Sequence, residues 1–332
     1  MDKFYKPTSK IILKGFAPKK KAVSHLLPKG FFIEDREGVV VEKIKENLIY
    51  VYEKERSEKE FCLENGNGSK QFGLFHKENN IIIDRRIKTQ NIFDFQYMPI
   101  CLLRGIYKVN DDHNGKLIYH GSGFRNSLNQ IVTAGHNLYL ESEDIKGFCN
   151  ERNISLKNHD FDIDSLTVQL MFGVSFKEKG NKYYYVRTAS VNGHDCFVKK
   201  GRDFGVVNLP ISEKTDLDDD VGSLPIAFMP SQPHEYMEKN IDIVGYPGEK
   251  IPRSLWYHSG PIKNIDADKL TTYDVDTTKG NSGSPGFFDL QGNSKNIEDF
   301  PVSLVHTRSN RPFNSGQGFD GDILDFMDKN CK

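Results

Sequence analysis

The chain has 332 residues, long enough for one large domain or two, each with a core of its own. Its 45 Lys and Arg nearly balance 46 Asp and Glu, and a formal net charge of -1 offers no field to gather nucleic acid. Charged residues make up 27% and hydrophobic residues 37%, the balance of a soluble globular protein, and no apolar run approaches the roughly 20 residues that cross a bilayer.

Residues 1–80 differ from the rest. Met1 to Lys21 carries the basic run Lys19-Lys20-Lys21 but no apolar stretch of secretory-signal length. Short β-like runs follow at Phe31–Ile33, Val39–Val41 and Leu48–Tyr52, broken by the turn formers Asp35 to Gly38. Glu64 to Ser69 reads as a polar, glycine-containing loop. From Ile81 onward short apolar runs recur between turn signals: Ile81–Ile83, Ile100–Ile106, Leu117–Tyr119, Ile131–Thr133, Leu166–Phe172 and Tyr183–Val186. The series continues at Phe204–Leu209, Ile241–Val244, Leu270–Val275 and Val302–His306. Many short strands predict a mainly β protein of barrel or sandwich class. A helical apolar period is confined to Gly321–Lys329, where Ile323, Leu324, Phe326 and Met327 suit one face of a short amphipathic helix. The five cysteines, Cys62, Cys101, Cys149, Cys196 and Cys331, are odd in number and widely spaced, so no disulfide framework is implied. No ligand spacing suggests a metal, and no cofactor is expected.

Three segments carry chemistry. Ile131-Val132-Thr133-Ala134-Gly135-His136 is an apolar strand ending in a small-residue turn that can hold an imidazole ready as general base. Asp203-Phe204-Gly205-Val206-Val207 sets an acid at the mouth of an apolar run, where its carboxylate can accept the histidine Nδ1–H and fix the tautomer. Gly280-Asn281-Ser282-Gly283-Ser284-Pro285 is a tight turn in which the amides of Gly280 and Ser282 can point at one oxygen and form an oxyanion hole. Base, acid and nucleophile run His136, Asp203, Ser282, separated by 67 and 79 residues, so each comes from a different strand region. A serine hydroxyl is a poor nucleophile until a base takes its proton, so the trio means more than its members. Should Asp203 fail as the acid, Asp195 and Asp164 are next in line.

On these motifs, together with Ile243-Val244-Gly245-Tyr246-Pro247-Gly248-Glu249-Lys250, Leu255-Trp256 and Tyr273-Asp274-Val275-Asp276-Thr277-Thr278, the chain resembles the glutamyl endopeptidase branch of the chymotrypsin superfamily. The resemblance covers roughly Ile81 to Asn330. It implies two antiparallel β-barrels with the triad between them, here preceded by a β-containing N-terminal extension and closed by a short C-terminal helix. It also implies a specificity pocket in which Thr277 and His306 hold a substrate glutamate, with a protonated His306 adding positive charge. Arg308 and Lys279 either add to that charge or sit as solvated surface residues. Two departures stand out. The polar Glu141 to Asp164 stretch is an inserted loop, and no signal peptide is visible although the family is usually exported.

The resulting division is 1–80 as extension or pro-segment and 81–332 as protease domain. Asn281 is neutral, so a trypsin-style ion pair with a freed α-amine is not available, whereas Asn79-Asn80-Ile81-Ile82-Ile83 offers an apolar mature terminus. A permanent docking extension is the alternative. The leading functional expectation is a serine endopeptidase cutting after glutamate. A serine protease of other preference and a protease-fold binding module without turnover stand beside it. Partners are then protein or peptide substrates, with no nucleic acid and no membrane. Localisation is secretion by a route without a visible signal, or the cytoplasm.

Overall fold

A computed structural model describes residues 11–28, 31, 49–51, 73–74, 76–78, 81–83, 85–89, 91–108, 116–139, 165–177, 182–229, 236–248, 250, 253–278, 280–288, 290, 296–310 and 313–331. Phe32 to Val41, the 64–69 loop, the Glu141–Asp164 insertion and Lys279 lie outside them. The fold is mainly β, with two short α-helices among the described residues.

The first sheet runs in the spatial order Arg187–Asn192, Leu166–Phe172, Ile100–Lys108, Lys116–Arg125, Gln130–Ala134, Phe204–Asn208, Cys196–Lys199. All of these neighbours are antiparallel. Among the described residues it curls without closing, so one of the two barrels expected from the resemblance is a half-barrel. The second sheet does close. Val302–Asn310, Pro285–Phe287, Asn240–Gly245, Trp256–Ile265, Leu270–Tyr273 and Phe313–Gly318 form a ring of six, completed by pairing of the last with the first.

The continuous apolar run Ile100-Cys101-Leu102-Leu103 is continuous because it is buried on both faces. Cys101, Leu103 and Tyr107 point into the half-barrel with Ile131, Val168, Leu170 and Val207. Ile100 and Leu102 point the other way, into a core shared with the closed barrel through Val244, Tyr246, Phe287 and Val305. Phe319 sits edge-on to both Phe124 and Phe204, at centroid distances of 6.5 Å and 5.9 Å. Such ring pairs add about 0.5–1.5 kcal/mol each beyond the buried area. The two halves are therefore welded by one core, and the strand that follows Asp203 is part of the weld.

The predicted C-terminal helix is present at Gly321–Lys329. Asp320 caps it by accepting from the Ile323 amide, and Ile323 and Met327 are its buried face. Phe326 meets Phe204, so the helix braces the strand behind the candidate acid. A second helix, Lys214–Asp220, carries no apolar period and was not anticipated; only its Leu217 is buried. Its acidic side chains are held by basic partners, Asp218 by Arg125 and Lys214, Asp219 by Lys19 and Lys20.

The N-terminal segment is stitched to both halves. Ile11–Leu13 pairs with Ile226–Ala227 and His25–Leu26 with Tyr184–Tyr185. Ile49–Val51 runs parallel to Lys116–Ile118, and Gly73–Leu74 pairs with Thr277–Thr278. Cys101, Cys196 and Cys331 are free thiols.

Candidate active site

His136 sits in a single 3₁₀ turn, Gly135–Asn137, at the end of the fully buried strand Gln130–Ala134. The turn is fixed from across the sheet. The Gly135 amide donates to the Asp203 carbonyl at 3.0 Å, and the His136 amide donates to Asp203 Oδ1 at 2.9 Å. The His136 ring then faces the same carboxylate, with Nδ1 3.1 Å from each oxygen. Asp203 holds this pose with φ of 46°, a left-handed backbone that few non-glycine residues adopt. Strain of that kind persists only where surroundings impose it, and here the imposing contacts are those to the histidine turn.

The Ser282 loop reaches the same place from the closed barrel. Its carbonyl accepts from the Ser122 amide and from Asn137 Nδ2, both at 2.8 Å. Asn137 is also anchored to Thr133 Oγ1 at 2.9 Å, so the residue beside the candidate base physically holds the candidate nucleophile. The Gly283 amide donates to the His306 carbonyl, and the His306 amide donates back to the Ser284 carbonyl, each at 2.8 Å. Gly283 has φ of 90°, and a Cβ there would lie 1.9 Å from the Ser122 carbonyl oxygen. Only glycine allows the loop so close to the first sheet. Gly280 also has φ of 90°, and its carbonyl accepts from Ser122 Oγ at 2.7 Å. Among the described residues, no acceptor takes the amide of Gly280 or of Ser282. The Ser282 hydroxyl makes no hydrogen bond to His136; catalytic pairs often close that gap only on binding substrate.

Burial alone would raise the Asp203 carboxyl. The charge and hydrogen bonds of His136, with Arg308, outweigh it and hold the carboxyl below the usual range. It is therefore ionised at neutral pH. Asp195 is engaged elsewhere, 3.0 Å from His194 Nε2, and Asp164 lies outside the described residues.

Thr277 and His306 both lie near the Ser282 loop, on the short strand Thr277–Thr278 and on Val302–Asn310. Both are almost fully buried. His306 Nδ1 lies 2.7 Å from the Tyr273 hydroxyl. Burial, with the nearby charge of His136, pushes its pKa down to about 3. The expectation that a protonated His306 contributes charge is thus corrected: the ring is neutral across the ordinary pH range. Sequence reasoning missed Asn137 and Ser122, which are hydrogen-bond struts without a motif. It also missed Arg86, whose guanidinium donates to Thr278 Oγ1 at 2.9 Å, and Arg85, clamped by Asp274 and Asp276 just upstream. Arg308, given above as a pocket cation or a solvated surface residue, is 60% exposed, and its Nε lies 3.3 Å from Asp203 Oδ2.

The same burial has a stability consequence. His306 and His120 are both buried histidines with lowered pKa values. Below the unfolded value of about 6.5, the unfolded chain binds protons that the folded chain refuses. Stability is full above that pH and falls as the pH drops toward the folded values. His306 alone is expected to remove on the order of 2–3 kcal/mol between pH 7 and pH 4.5. Urea unfolding at pH 7, 5.5 and 4.5 measures this, and His306→Gln should flatten the slope. An unchanged midpoint across that range contradicts the buried neutral state.

A closed barrel beside a curled antiparallel sheet, with His136, Asp203 and Ser282 gathered at the seam, defines a chymotrypsin-fold protein. No protein-family profile matches the chain. It is 38% identical over 89 residues to the glutamyl endopeptidase of Bacillus licheniformis, covering 26% of this chain and 27% of that one. It is also 38% identical over 61 residues to the glutamyl endopeptidase of Staphylococcus aureus, covering 18% of each. The matched stretches thus span about a quarter or less of those relatives' lengths. Among solved structures, a Glu endopeptidase in complex with MPD gives a TM-score of 0.49 at 21% identity, over 74% of this chain and 96% of that one. Deg5 gives 0.41 at 12%, over 69% and 88%. Through the shared stretches the chain is related to the glutamyl endopeptidases.

Proposed function

We propose that the chain is a serine endopeptidase in which Ser282 is the nucleophile, His136 the general base and Asp203 the acid that orients it. The observation that carries this reading is the double clamp on His136, ring and amide on one carboxylate, beside a serine turn tied to Asn137. In the reaction, His136 Nε2 takes the Ser282 proton as Oγ attacks the scissile carbonyl. The tetrahedral oxyanion is received by the Gly280 and Ser282 amides. The imidazolium then gives its proton to the leaving amine, and water repeats the sequence on the acyl-enzyme.

Glutamate before the scissile bond is the specificity we favour. Thr277 and His306 flank the serine turn, and the relatives matched over partial lengths carry that name. His306 enters as a neutral hydrogen-bond partner. A preference for Glu over Gln is therefore expected to stay flat between about pH 5.5 and 8, since no pocket imidazolium titrates in that window.

Residues 1 to about 80 read best as a pro-segment. Gly73–Leu74 lies as a strand along Thr277–Thr278, where a glutamate pocket needs access, while Arg85 and Arg86 hold the chain beyond Ile81. Profiling a peptide library with the full chain and with protein trimmed near Ile81 tests both readings. Trimmed protein should be the more active by at least tenfold and should cut after Glu. Preference for Lys, Arg or large apolar residues would overturn the glutamate reading, and a full-length chain with no gain on trimming would favour a permanent extension.

A further inference from the structure

The candidate acid has two basic neighbours, His136 and Arg308, and the chemistry above uses only His136. Val302–Asn310 pairs with Phe313–Gly318, and the register shifts by one residue between His306 and Arg308: His306 faces Gly316 but Arg308 faces Ser315. An extra residue of this kind bends a strand and re-aims the side chain after it. Here the re-aimed side chain is Arg308. It stays 60% exposed, yet its Nε lies 3.3 Å from Asp203 Oδ2. That oxygen is also 3.1 Å from His136 Nδ1, so one carboxylate bridges a guanidinium and the imidazole. We propose that Arg308 is a positioning residue that acts through Asp203: by sharing one carboxylate oxygen with the imidazole, it sets how strongly Asp203 supports the imidazolium that forms when His136 takes the serine proton. This rests on the protease reading only for its kinetic consequence.

The argument is electrostatic. An imidazolium is stabilised by Asp203 and opposed by any cation that shares the same carboxylate. The other titratable groups facing the pair do not supply this effect. His306, from the same strand, is neutral. Arg202, next in sequence to Asp203, turns away to Asp320 and the Asp268 carbonyl. Lys199, on the neighbouring strand, is spent on Asp322. Among the described residues Arg308 is thus the remaining cation on the carboxylate. For two charges bridged by one carboxylate at a protein surface, the repulsion corresponds to about half a pH unit.

The test is a direct titration of the His136 ring by NMR in ¹³C-histidine-labelled protein, with the signal assigned through His136→Gln, alongside kcat/KM against pH. Arg308→Gln is expected to raise the His136 titration, and the ascending limb with it, by about half a unit at low salt. Arg308→Lys should restore the wild-type value. Salt at 1 M, with a Debye length of about 3 Å, should erase the difference. An exposed side chain is removed, so folding is retained. A His136 titration unmoved by Arg308→Gln, or a rate lowered equally at every pH with no shift, overturns the proposal. Absence of hydrolysis of any peptide would defeat the protease reading instead, and the NMR titration would still decide the role of Arg308.

Discussion

Replacing Ser282 with alanine is expected to lower kcat on a cleaved peptide by about five to six powers of ten, with KM little changed. The oxygen removed is the proposed attacking atom, and when triad members act as one unit the loss of one costs nearly as much as the loss of all. What remains is the small acceleration from binding and from the Gly280 and Ser282 amides. Stability should stay within about 0.5 kcal/mol, because the hydroxyl makes no hydrogen bond among the described residues and the loop is held by its backbone. Turnover by progress curve, labelling by a fluorophosphonate probe and a thermal melt separate the outcomes. Wild type should label and the variant should not. Retained turnover in the variant would mean that another group attacks, and unlabelled, inactive wild type would favour the binding-module alternative.

Asp203→Asn should cost about four powers of ten in kcat near neutral pH. The amide can still accept from the His136 backbone, as Oδ1 now does at 2.9 Å. It cannot both accept there and receive Nδ1–H with a second oxygen, so the ring loses the partner that fixes its tautomer and stabilises its charged form. Fold stability should survive. Asparagine tolerates the left-handed backbone that Asp203 adopts at φ of 46° at least as well as aspartate does. Activity measured from pH 6 to 10 checks this, with recovery toward high pH expected as hydroxide substitutes for the base. An unaffected rate would assign the acid elsewhere, which the engagement of Asp195 with His194 makes difficult.

The parts of this protein that could be read from the sequence are those written in local pattern. Apolar runs of three to seven residues located most barrel strands, and a 3.6-residue apolar stripe located the C-terminal helix. The candidate triad was legible because each member sits in a short string whose residue types serve backbone geometry: Gly135 before His136, Gly283 after Ser282. What escaped was set by contacts distant in sequence. Asn137 holds a carbonyl 145 residues away, and Arg308 meets a carboxylate 105 residues back. No local pattern encodes either. The charge of His306 escaped for the same reason, since its neutrality comes from burial between strands. The helix Lys214–Asp220 lacked an apolar face because it lies at the surface and anchors through one buried residue, Leu217, with ion pairs around it.

The four short pairings of the N-terminal segment also act as guards against unwanted association. Each one pairs with a strand margin of the protease fold: Ile226–Ala227, Tyr184–Tyr185, Lys116–Ile118 and Thr277–Thr278. Excising the segment leaves those margins bare, and bare strand margins recruit other chains. Lys182 puts positive charge beside one of the four margins, which discourages self-pairing, whereas Ile226–Ala227 is wholly apolar and carries no such guard. A form cut near Ile81 therefore keeps its solubility only if the first segment, Ile11–Leu13, stays bound after the cut, or if another strand takes its place.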